Sequence, residues 1–269
     1  MHKRTIGIIG GGNMGEALIK GLHKNNRVLV CEANAARVKY LAKNYDVTVG
    51  ELSLTVDEAD VVIFAVKPQD IDDVVLNMRR GGITLPVQKR HKLYISIAAG
   101  LTTLFFEKNL GERIPIVRSM PNMPALIGEG ITGVCPGRFA SLSELKLAQE
   151  IIGVLGETIV VKESMMDALT AVSGSGPAYV FLFVEKWMAA AKKLGFKELE
   201  AKQLVYKTLL GSAHLLEKSE FDASTLRAKV TSKGGTTQAA IDVFVKGKFD
   251  PLMRDALAAA KNRSEELAK

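Results

Sequence analysis

The sequence is poor in cysteine and histidine, with two cysteines and four histidines among 269 residues. The two cysteines, Cys31 and Cys135, are too few for a disulfide framework and form no Cys-x-x-Cys pair. Neither a His-x-x-x-His pair nor a carboxylate cluster with metal-ligand spacing is present. We therefore expect no bound metal, no disulfide scaffold and a cytoplasmic location.

The sequence also lacks blocks of like charge and long apolar runs. Lysine and arginine exceed aspartate and glutamate by 36 − 29 = 7, but this excess is spread along the chain. We therefore expect no nucleic-acid partner. The most apolar helical pattern, 178–191, contains Glu185 and Lys186 and falls short of the ~20 apolar residues that a membrane span needs. We expect no membrane partner either.

The first part of the chain alternates short β-branched runs with helical patterns. This alternation is typical of βαβ units that build a parallel sheet covered by helices on both faces. Later runs and a capping box at Ser141 and Glu144 complete this part, which predicts an α/β domain over 1–162. The predicted strands are 5–9, 27–30, 61–66, 93–97, 114–118, 131–134 and 158–161.

From residue 163 onward the strand patterns stop, which predicts a second, all-helical domain over 163–269. We expect helices over 165–194, 198–219, 236–245 and 251–267, the last with Asp250 as its N-cap and Pro251 as its first helical residue. The pattern 178–191 is apolar on nearly all sides and must be buried. Either a second subunit covers it, or it is a central core helix of one chain.

A glycine-rich turn follows the first predicted strand and precedes the first predicted helix. It fits the pattern Gly-x-Gly-x-x-Gly, whose glycines allow a tight turn, close approach of a pyrophosphate and close packing of helix on strand. The helix N-terminus adds N–H donors and partial positive charge. The turn predicts a dinucleotide site; the alternative is a glycine turn without a ligand. Its residues are Gly10, Gly11, Gly12, Asn13, Met14 and Gly15.

An acidic residue, Glu32, ends the second predicted strand, where it is able to accept hydrogen bonds from the adenosine ribose. Its charge would repel a 2′-phosphate and favours NADH. Asn34 and Arg37 follow and could offset that repulsion. The choice between NADH and NADPH stays open, with a lean toward NADH.

Two further loops follow the strands 61–66 and 93–97. Ligands of open α/β sheets bind beyond the carboxyl ends of the strands, so these loops are candidates for contact with the nicotinamide half. An ordinary strand-to-helix loop is the alternative for each. Their residues are Ala65, Val66, Lys67 and Pro68 in the first loop, and Ile97, Ala98 and Ala99 in the second.

Two glycine-containing segments interrupt the helical domain. Residues 232–237, Ser-Lys-Gly-Gly-Thr-Thr, precede a helix and are able to present N–H groups to a carboxylate, or they form a plain capping turn. Residues 173–177, Ser-Gly-Ser-Gly-Pro, lie inside a helical pattern where glycine and proline are costly. They either permit close packing or expose backbone donors to a ligand, and we favour packing.

Together these motifs resemble pyrroline-5-carboxylate reductases over nearly the whole chain. The resemblance rests on the glycine turn, on Ala-Val-Lys-Pro at 65–68, on Arg-Ser-Met-Pro-Asn-Met-Pro at 118–124, and on residues 170–179 and 230–237. It implies a Rossmann-like N-terminal domain and a C-terminal dimerisation domain, with a homodimer that assembles further into rings of dimers. It also implies reduction of 1-pyrroline-5-carboxylate to L-proline by NADH or NADPH, the last step of proline biosynthesis.

The resemblance also implies roles for individual residues. The backbone of Gly235 and Thr236 would bind the substrate carboxylate, and Thr237 would donate near the ring nitrogen, with water as the alternative proton relay. The remaining substrate-site residues would be Ser232, Gly234, Glu163, Met120 and Asn122.

This chain departs from the family pattern at two positions. Lys233 stands where proline is common, and Ala33 stands where arginine is frequent, which weakens the case for strict NADPH use. Two other functions remain open. A β-hydroxy-acid dehydrogenase would need a catalytic lysine, for which Lys186 is the candidate. A relative without catalytic activity would bind the dinucleotide only.

Overall fold

The computed structural model describes residues 4–80, 92–111 and 113–267. These residues form two compact units. The first contains the described residues up to Ser175 and those from Ala260 onward, and the second is Gly176–Ala259.

The first unit is built on an eight-stranded sheet with the strand order β3-β2-β1-β4-β5-β6-β7-β8. The described neighbours are parallel except β6 and β7, which are antiparallel. The predicted α/β class and parallel sheet are confirmed. The strands are β1 (Thr5–Ile9), β2 (Arg27–Cys31), β3 (Thr48–Val49), β4 (Val61–Phe64), β5 (Leu93–Ser96), β6 (Ile116–Met120), β7 (Gly130–Pro136) and β8 (Gly156–Val160).

Two apolar clusters pack against the sheet, and they bury its central strands along their length. One cluster contains Ile6, Ile8 and Leu18, and the other contains Phe64 and Phe106. Such burial on both faces is typical of parallel sheets covered by helices. The helices of this unit are α1 (Asn13–Leu22), α2 (Ala35–Asn44), α3 (Leu52–Glu58), α4 (Ile71–Arg80), α5 (Thr103–Leu110), α6 (Leu142–Ile152) and α7 (Met166–Leu169).

Side-chain caps fix the first residues of several of these helices. Asn34 accepts a hydrogen bond from the N–H of Arg37 at 3.0 Å, which starts α2. Ser141 and Glu144 form the predicted capping box of α6, in which each side chain satisfies a backbone donor of the other. The cap of α6 lies where the sequence predicts it, and the cap at Asn34 fixes the start of α2.

The second unit is helical. It contains α8 (Gly176–Lys193), α9 (Glu198–Lys218), α10 (Ala223–Lys229) and α11 (Thr236–Lys246), and α12 (Phe249–Leu267) begins in it. Helices α8 and α9 contact each other. The prediction that Asp250 caps α12 was wrong, because the helix already begins at Phe249 and the N–H of Leu252 donates to Lys248 at 3.1 Å. Pro251 is the third helical residue, where its missing N–H costs no helical hydrogen bond.

The predicted continuous helix 165–194 is interrupted. A 3-10 turn (Glu163–Met165) precedes α7, and a π-helical turn (Thr170–Gly174) separates α7 from α8. The N–H of Ser175 donates to the carbonyl oxygen of Thr170 at 2.8 Å. Residues 163–175, which the sequence analysis assigned to the second domain, belong to the first compact unit.

Candidate active site

The glycine turn joins β1 to α1, as the sequence predicts. Gly10 has φ +101, and a Cβ there would lie 2.8 Å from the carbonyl carbon of Ala65. A Cβ on Gly15 would overlap the carbonyl oxygen of Gly10. A Cβ on Gly12 would meet nothing within 4 Å. Two glycines are therefore required by the fold, whereas the third leaves open space.

That open space lies at the N-terminus of α1. Gly12 is the N-cap residue and provides no side-chain hydrogen bond, and the helical ladder starts with the N–H of Glu16 donating to Gly12. The preceding N–H groups of the first turn have no partner within the helix. Asn13 is exposed, and Met14 is half-buried against the core. The geometry fits a phosphate group bound by backbone donors.

The carboxylate of Glu32 is fixed beside this turn. One oxygen accepts a hydrogen bond from the N–H of Gly11, and the other accepts one from the N–H of Asn34, both at 2.8 Å. Both bonds are charge-assisted and hold the side chain in one orientation. The structure therefore keeps an acidic group at the end of β2, where the sequence analysis expects a ribose contact.

A basic side chain, Arg37, contacts the same turn from α2. Its Nε donates to the carbonyl oxygen of Gly11 at 2.6 Å, and its Nη2 forms an ion pair with Glu16. The Glu16 carboxylate also accepts hydrogen bonds from the hydroxyls of Tyr40 at 3.0 Å and Tyr45 at 2.7 Å. Partial burial raises the pKa of Glu16, but the hydrogen bonds from Tyr45, Arg37 and Tyr40 outweigh it and lower the pKa below its usual value.

The two loops that are predicted to contact the nicotinamide half differ in their surroundings. Ala65 lies against Gly10 and Gly15 in the first loop, and Lys67 is exposed just before a 3-10 turn that begins at Pro68. In the second loop, the N–H of Ala98 donates to the hydroxyl of Ser96 at 3.3 Å. Val66 and Ile97 are half-buried, Ala98 is buried and Ala99 is exposed. The first loop contacts the glycine turn through Ala65.

Glu163 is the centre of a polar cluster in the first unit. One of its oxygens pairs with Arg118 at 2.7 Å, and the other accepts a hydrogen bond from Thr103 at 2.8 Å. The Arg118 side chain is 4% exposed, so Glu163 compensates a buried charge. Burial and the neighbouring Glu163 charge raise the pKa of the Cys135 thiol to about 12. Cys135 therefore stays a thiol at neutral pH.

Sequence reasoning named Glu163 but missed Arg118 and Thr103 as its partners. The available signal was the position of Arg118 in the otherwise uncharged strand β6, because a buried arginine requires a counter-charge. No spacing rule identifies which carboxylate supplies it, since Glu163 lies 45 positions further along the chain.

Met120 and Asn122 lie at and just beyond the end of β6. The methyl group of Met120 would lie 3.2 Å from a Cβ on Gly174, so Met120 packs closely over this glycine. This contact supports the packing interpretation of the Ser-Gly-Ser-Gly-Pro segment. The side-chain oxygen of Asn122 accepts a hydrogen bond from the N–H of Ile131 at 3.0 Å, which fixes the start of β7.

The segment 232–237 of the second unit forms a turn that leads into α11. Gly234 has φ +71, and the N–H of Gly235 donates to the carbonyl oxygen of Ser232 at 3.0 Å. Gly235 is the N-cap of α11 and provides no side-chain hydrogen bond to the helix. Ser232 and Thr236 are exposed, and Thr237 is half-buried. The first N–H groups of α11 are therefore available to an anion.

The apolar helix α8 is widely exposed in the single chain. The exposed fraction is 56% for Phe181 and 54% for Leu182. The helical segment Glu163–Lys193 has 31 residues and a mean hydropathy of 1.2 in its most apolar window, of which 6% is buried. By length and composition alone, this interrupted segment is long and apolar enough to cross a membrane, which is weak evidence for a membrane span. The core helix of a soluble protein passes the same test, so the absence of a membrane partner stays a prediction.

Within the residues that the structure describes, no group of three or more histidine, cysteine, aspartate or glutamate side chains could hold a metal ion. The glycine turn of the first unit and the N-terminus of α11 in the second each fit a negatively charged group.

Comparisons with known proteins match both parts of the chain. Residues 163–267 match the family model described as pyrroline-5-carboxylate reductase dimerisation, and residues 5–100 match the model described as NADP oxidoreductase, coenzyme F420-dependent. The pyrroline-5-carboxylate reductase of Mycobacterium tuberculosis is 38% identical over 97% of this chain and 96% of that protein.

Solved structures agree with these matches over the full length. The structure of a pyrroline-5-carboxylate reductase from Coxiella burnetii has a TM-score of 0.91 and 36% identity, covering 100% of both chains. The crystal structure of Plasmodium falciparum pyrroline carboxylate reductase with NADP bound has a TM-score of 0.84 and 29% identity, again covering 100% of both chains.

Proposed function

The chain belongs to the pyrroline-5-carboxylate reductase family, and we propose that it reduces 1-pyrroline-5-carboxylate to L-proline with NAD(P)H as the reductant. This reaction is the last step of proline biosynthesis, which we place in the cytoplasm. The observation that carries the proposal is the glycine turn, in which Gly10 and Gly15 are required by the fold while Gly12 leaves open space at a helix N-terminus.

The proposed cofactor site of the first unit uses backbone donors and small residues. Residues 10–15 bind the pyrophosphate through the N–H groups of the turn and of α1. Glu32 and Asn34 flank the adenosine ribose. Residues 65–68 and 97–99 lie beyond the carboxyl ends of β4 and β5, where they contact the nicotinamide half. When bound, the cofactor supplies the hydride for the C=N bond.

The substrate carboxylate is bound at the turn before α11. The N–H groups of Gly235 and Thr236 receive the substrate carboxylate, and Lys233 adds a positive charge beside it. Thr237 donates a hydrogen bond near the ring nitrogen and relays the proton that completes the amine, with water as the alternative relay. Ser232 and Gly234 shape the turn.

Three residues of the first unit remain candidates for the substrate site. Met120 packs on Gly174. Asn122 fixes the start of β7. Glu163 carries a carboxylate whose charge is compensated by Arg118. We assign these three a positioning role rather than proton transfer, because each already has a structural partner.

The subunits form a homodimer, and the dimers assemble further into rings. The exposed apolar side chains of α8 require a cover, and the matching family model of residues 163–267 is a dimerisation domain. Exposed Glu185 and Lys186 form an ion pair within this helix, which would be costly in lipid. A second subunit therefore covers α8 better than a membrane does.

The β-hydroxy-acid alternative is disfavoured because its candidate catalytic lysine, Lys186, is paired with the neighbouring Glu185.

The proposal is tested by measuring oxidation of NAD(P)H by the full-length protein with 1-pyrroline-5-carboxylate. We expect turnover in the wild type and a loss of about 100-fold in kcat for Thr237→Ala, because a positioned proton donor contributes rate enhancements of this order. Calorimetric titration should show unchanged cofactor affinity in this variant. Thr208→Ala, at an exposed position of α9, is the matched control and should retain full turnover.

Two outcomes would contradict the proposal. Absence of turnover with both reduced cofactors would contradict the reaction and favour a protein that only binds the dinucleotide. Loss of cofactor affinity in Thr237→Ala would contradict the role given to Thr237.

A further inference from the structure

The glycine turn carries a fixed negative charge where the adenosine ribose binds. Both carboxylate oxygens of Glu32 accept backbone hydrogen bonds, from Gly11 and from Asn34. Rotating the side chain away would break two charge-assisted hydrogen bonds at once. A 2′-phosphate would therefore meet a carboxylate that does not move aside, whereas a 2′-hydroxyl would meet an acceptor.

The cation beside this turn is already engaged. Arg37 donates to the carbonyl oxygen of Gly11 and pairs with Glu16, and its guanidinium lies 5.0 Å from the centre of the Tyr40 ring. Glu16 is held in place by the hydroxyls of Tyr40 and Tyr45. The Arg37 and Glu16 side chains are 25% and 21% exposed. The positive charge of Arg37 is thus neutralised from within the protein.

We infer that this chain prefers NADH to NADPH, because Glu32 repels a 2′-phosphate and the Glu16–Arg37 pair withholds the guanidinium that would otherwise bind it. The inference rests on the dinucleotide binding proposed above. Glu16 becomes a specificity-determining residue that acts through Arg37.

The first test is calorimetric titration of the full-length protein with NADH and with NADPH at one ionic strength. We expect NADH to bind at least about tenfold more tightly, since like charges placed together across an interface are strongly unfavourable. Equal affinities, or tighter binding of NADPH, would overturn the inference.

Two variants test the two halves of the inference separately. Glu32→Gln removes the fixed charge, and we expect the affinity for NADPH to rise about tenfold while that for NADH changes less. Glu16→Gln releases Arg37, and we expect NADPH affinity to rise with a gain that shrinks as salt is added. Glu150→Gln on α6 removes a carboxylate that pairs with Arg4 and should change neither affinity.

The variants also refute the inference if they behave otherwise. NADPH affinity unchanged in Glu16→Gln would show that Arg37 does not reach the 2′ position. If Glu32→Gln fails to fold, titrations of the wild type with NAD⁺ and NADP⁺ still decide whether the chain discriminates against a 2′-phosphate. Folding of each variant is checked by circular dichroism.

Failure of this inference is distinguishable from failure of the proposed function. Binding is measured without 1-pyrroline-5-carboxylate, so tight NADH binding without turnover contradicts the function and supports the preference. Turnover with NADPH bound more tightly than NADH contradicts the preference and leaves the function intact.

Discussion

Replacing Gly12 with alanine should weaken cofactor binding without unfolding the protein. Gly12 has φ −64, which alanine adopts readily, and its Cβ would meet no atom within 4 Å. Replacing an N-cap glycine with alanine lowers the free energy of unfolding by about 1 kcal/mol. Alanine also reduces the conformational entropy of the unfolded chain, which offsets about 0.4–1 kcal/mol of this loss. The free energy of unfolding should therefore change little.

The same methyl group would occupy the space where the pyrophosphate approaches the backbone. Loss of one hydrogen bond to a charged oxygen costs about 1.5–3 kcal/mol, which corresponds to a rise of roughly 10- to 150-fold in the dissociation constant. Calorimetric titration with NADH measures this change, and thermal unfolding measures the stability of the same preparation.

Gly153→Ala is the matched control. Gly153 follows α6, has φ −57, and a Cβ there also meets nothing within 4 Å. The Gly153→Ala variant adds the same methyl group at a position where no ligand is proposed, so its cofactor affinity should be unchanged. The reasoning would be refuted if Gly12→Ala bound NADH as tightly as Gly153→Ala does, because the open space would then not be the pyrophosphate site.

Three further predictions concern stability and are measured by urea unfolding. Glu163→Gln should destabilise the protein by about 3 kcal/mol, because it leaves the buried Arg118 without its counter-ion; an unchanged midpoint would contradict this. The pKa of Glu16 is lowered on folding, so the wild type should exceed Glu16→Gln in stability above pH 4.5 and lose this advantage as the pH falls below it; a pH-independent difference would contradict the network. Gly133→Ala should cost about 1–3 kcal/mol, because its Cβ would overlap Leu169; full stability would mean that α7 shifts freely.

Most of the sheet could be predicted from the sequence because its strands are short apolar runs between turns. The predicted strand 5–9 matches β1 at both ends, and 27–30 ends one residue before β2 does. Strand β3, with two residues, and helix α3 were not predicted. Both are too short to show a period, and β3 forms only because β2 pairs with it.

Interruptions of helices were harder to predict than helices. The pattern 165–194 shows a helix, but the π-helical turn at Thr170–Gly174 depends on packing between residues far apart in the chain. Met120 contacts Gly174, and Leu169 lies against Gly133. Helix α10 was missed because its seven residues carry no apolar stripe.

The local part of the candidate site could be predicted, and its long-range part could not. The glycine turn is contiguous, and Glu32 is placed by the pairing of β2 with β1. The Arg118–Glu163 pair and the contact of Arg37 with Gly11 depend on tertiary folding. In such cases the sequence indicates which residue types are involved but not which residues they contact.

The most direct test of the central claim follows a hydrogen atom. The protein is incubated with 1-pyrroline-5-carboxylate and reduced cofactor that carries deuterium at the transferred position of nicotinamide C4, and the proline formed is analysed by mass spectrometry and NMR. We predict one deuterium at the δ carbon of proline for each molecule of cofactor oxidised. Proline without deuterium at that carbon, or oxidation of the cofactor without proline, would contradict the account.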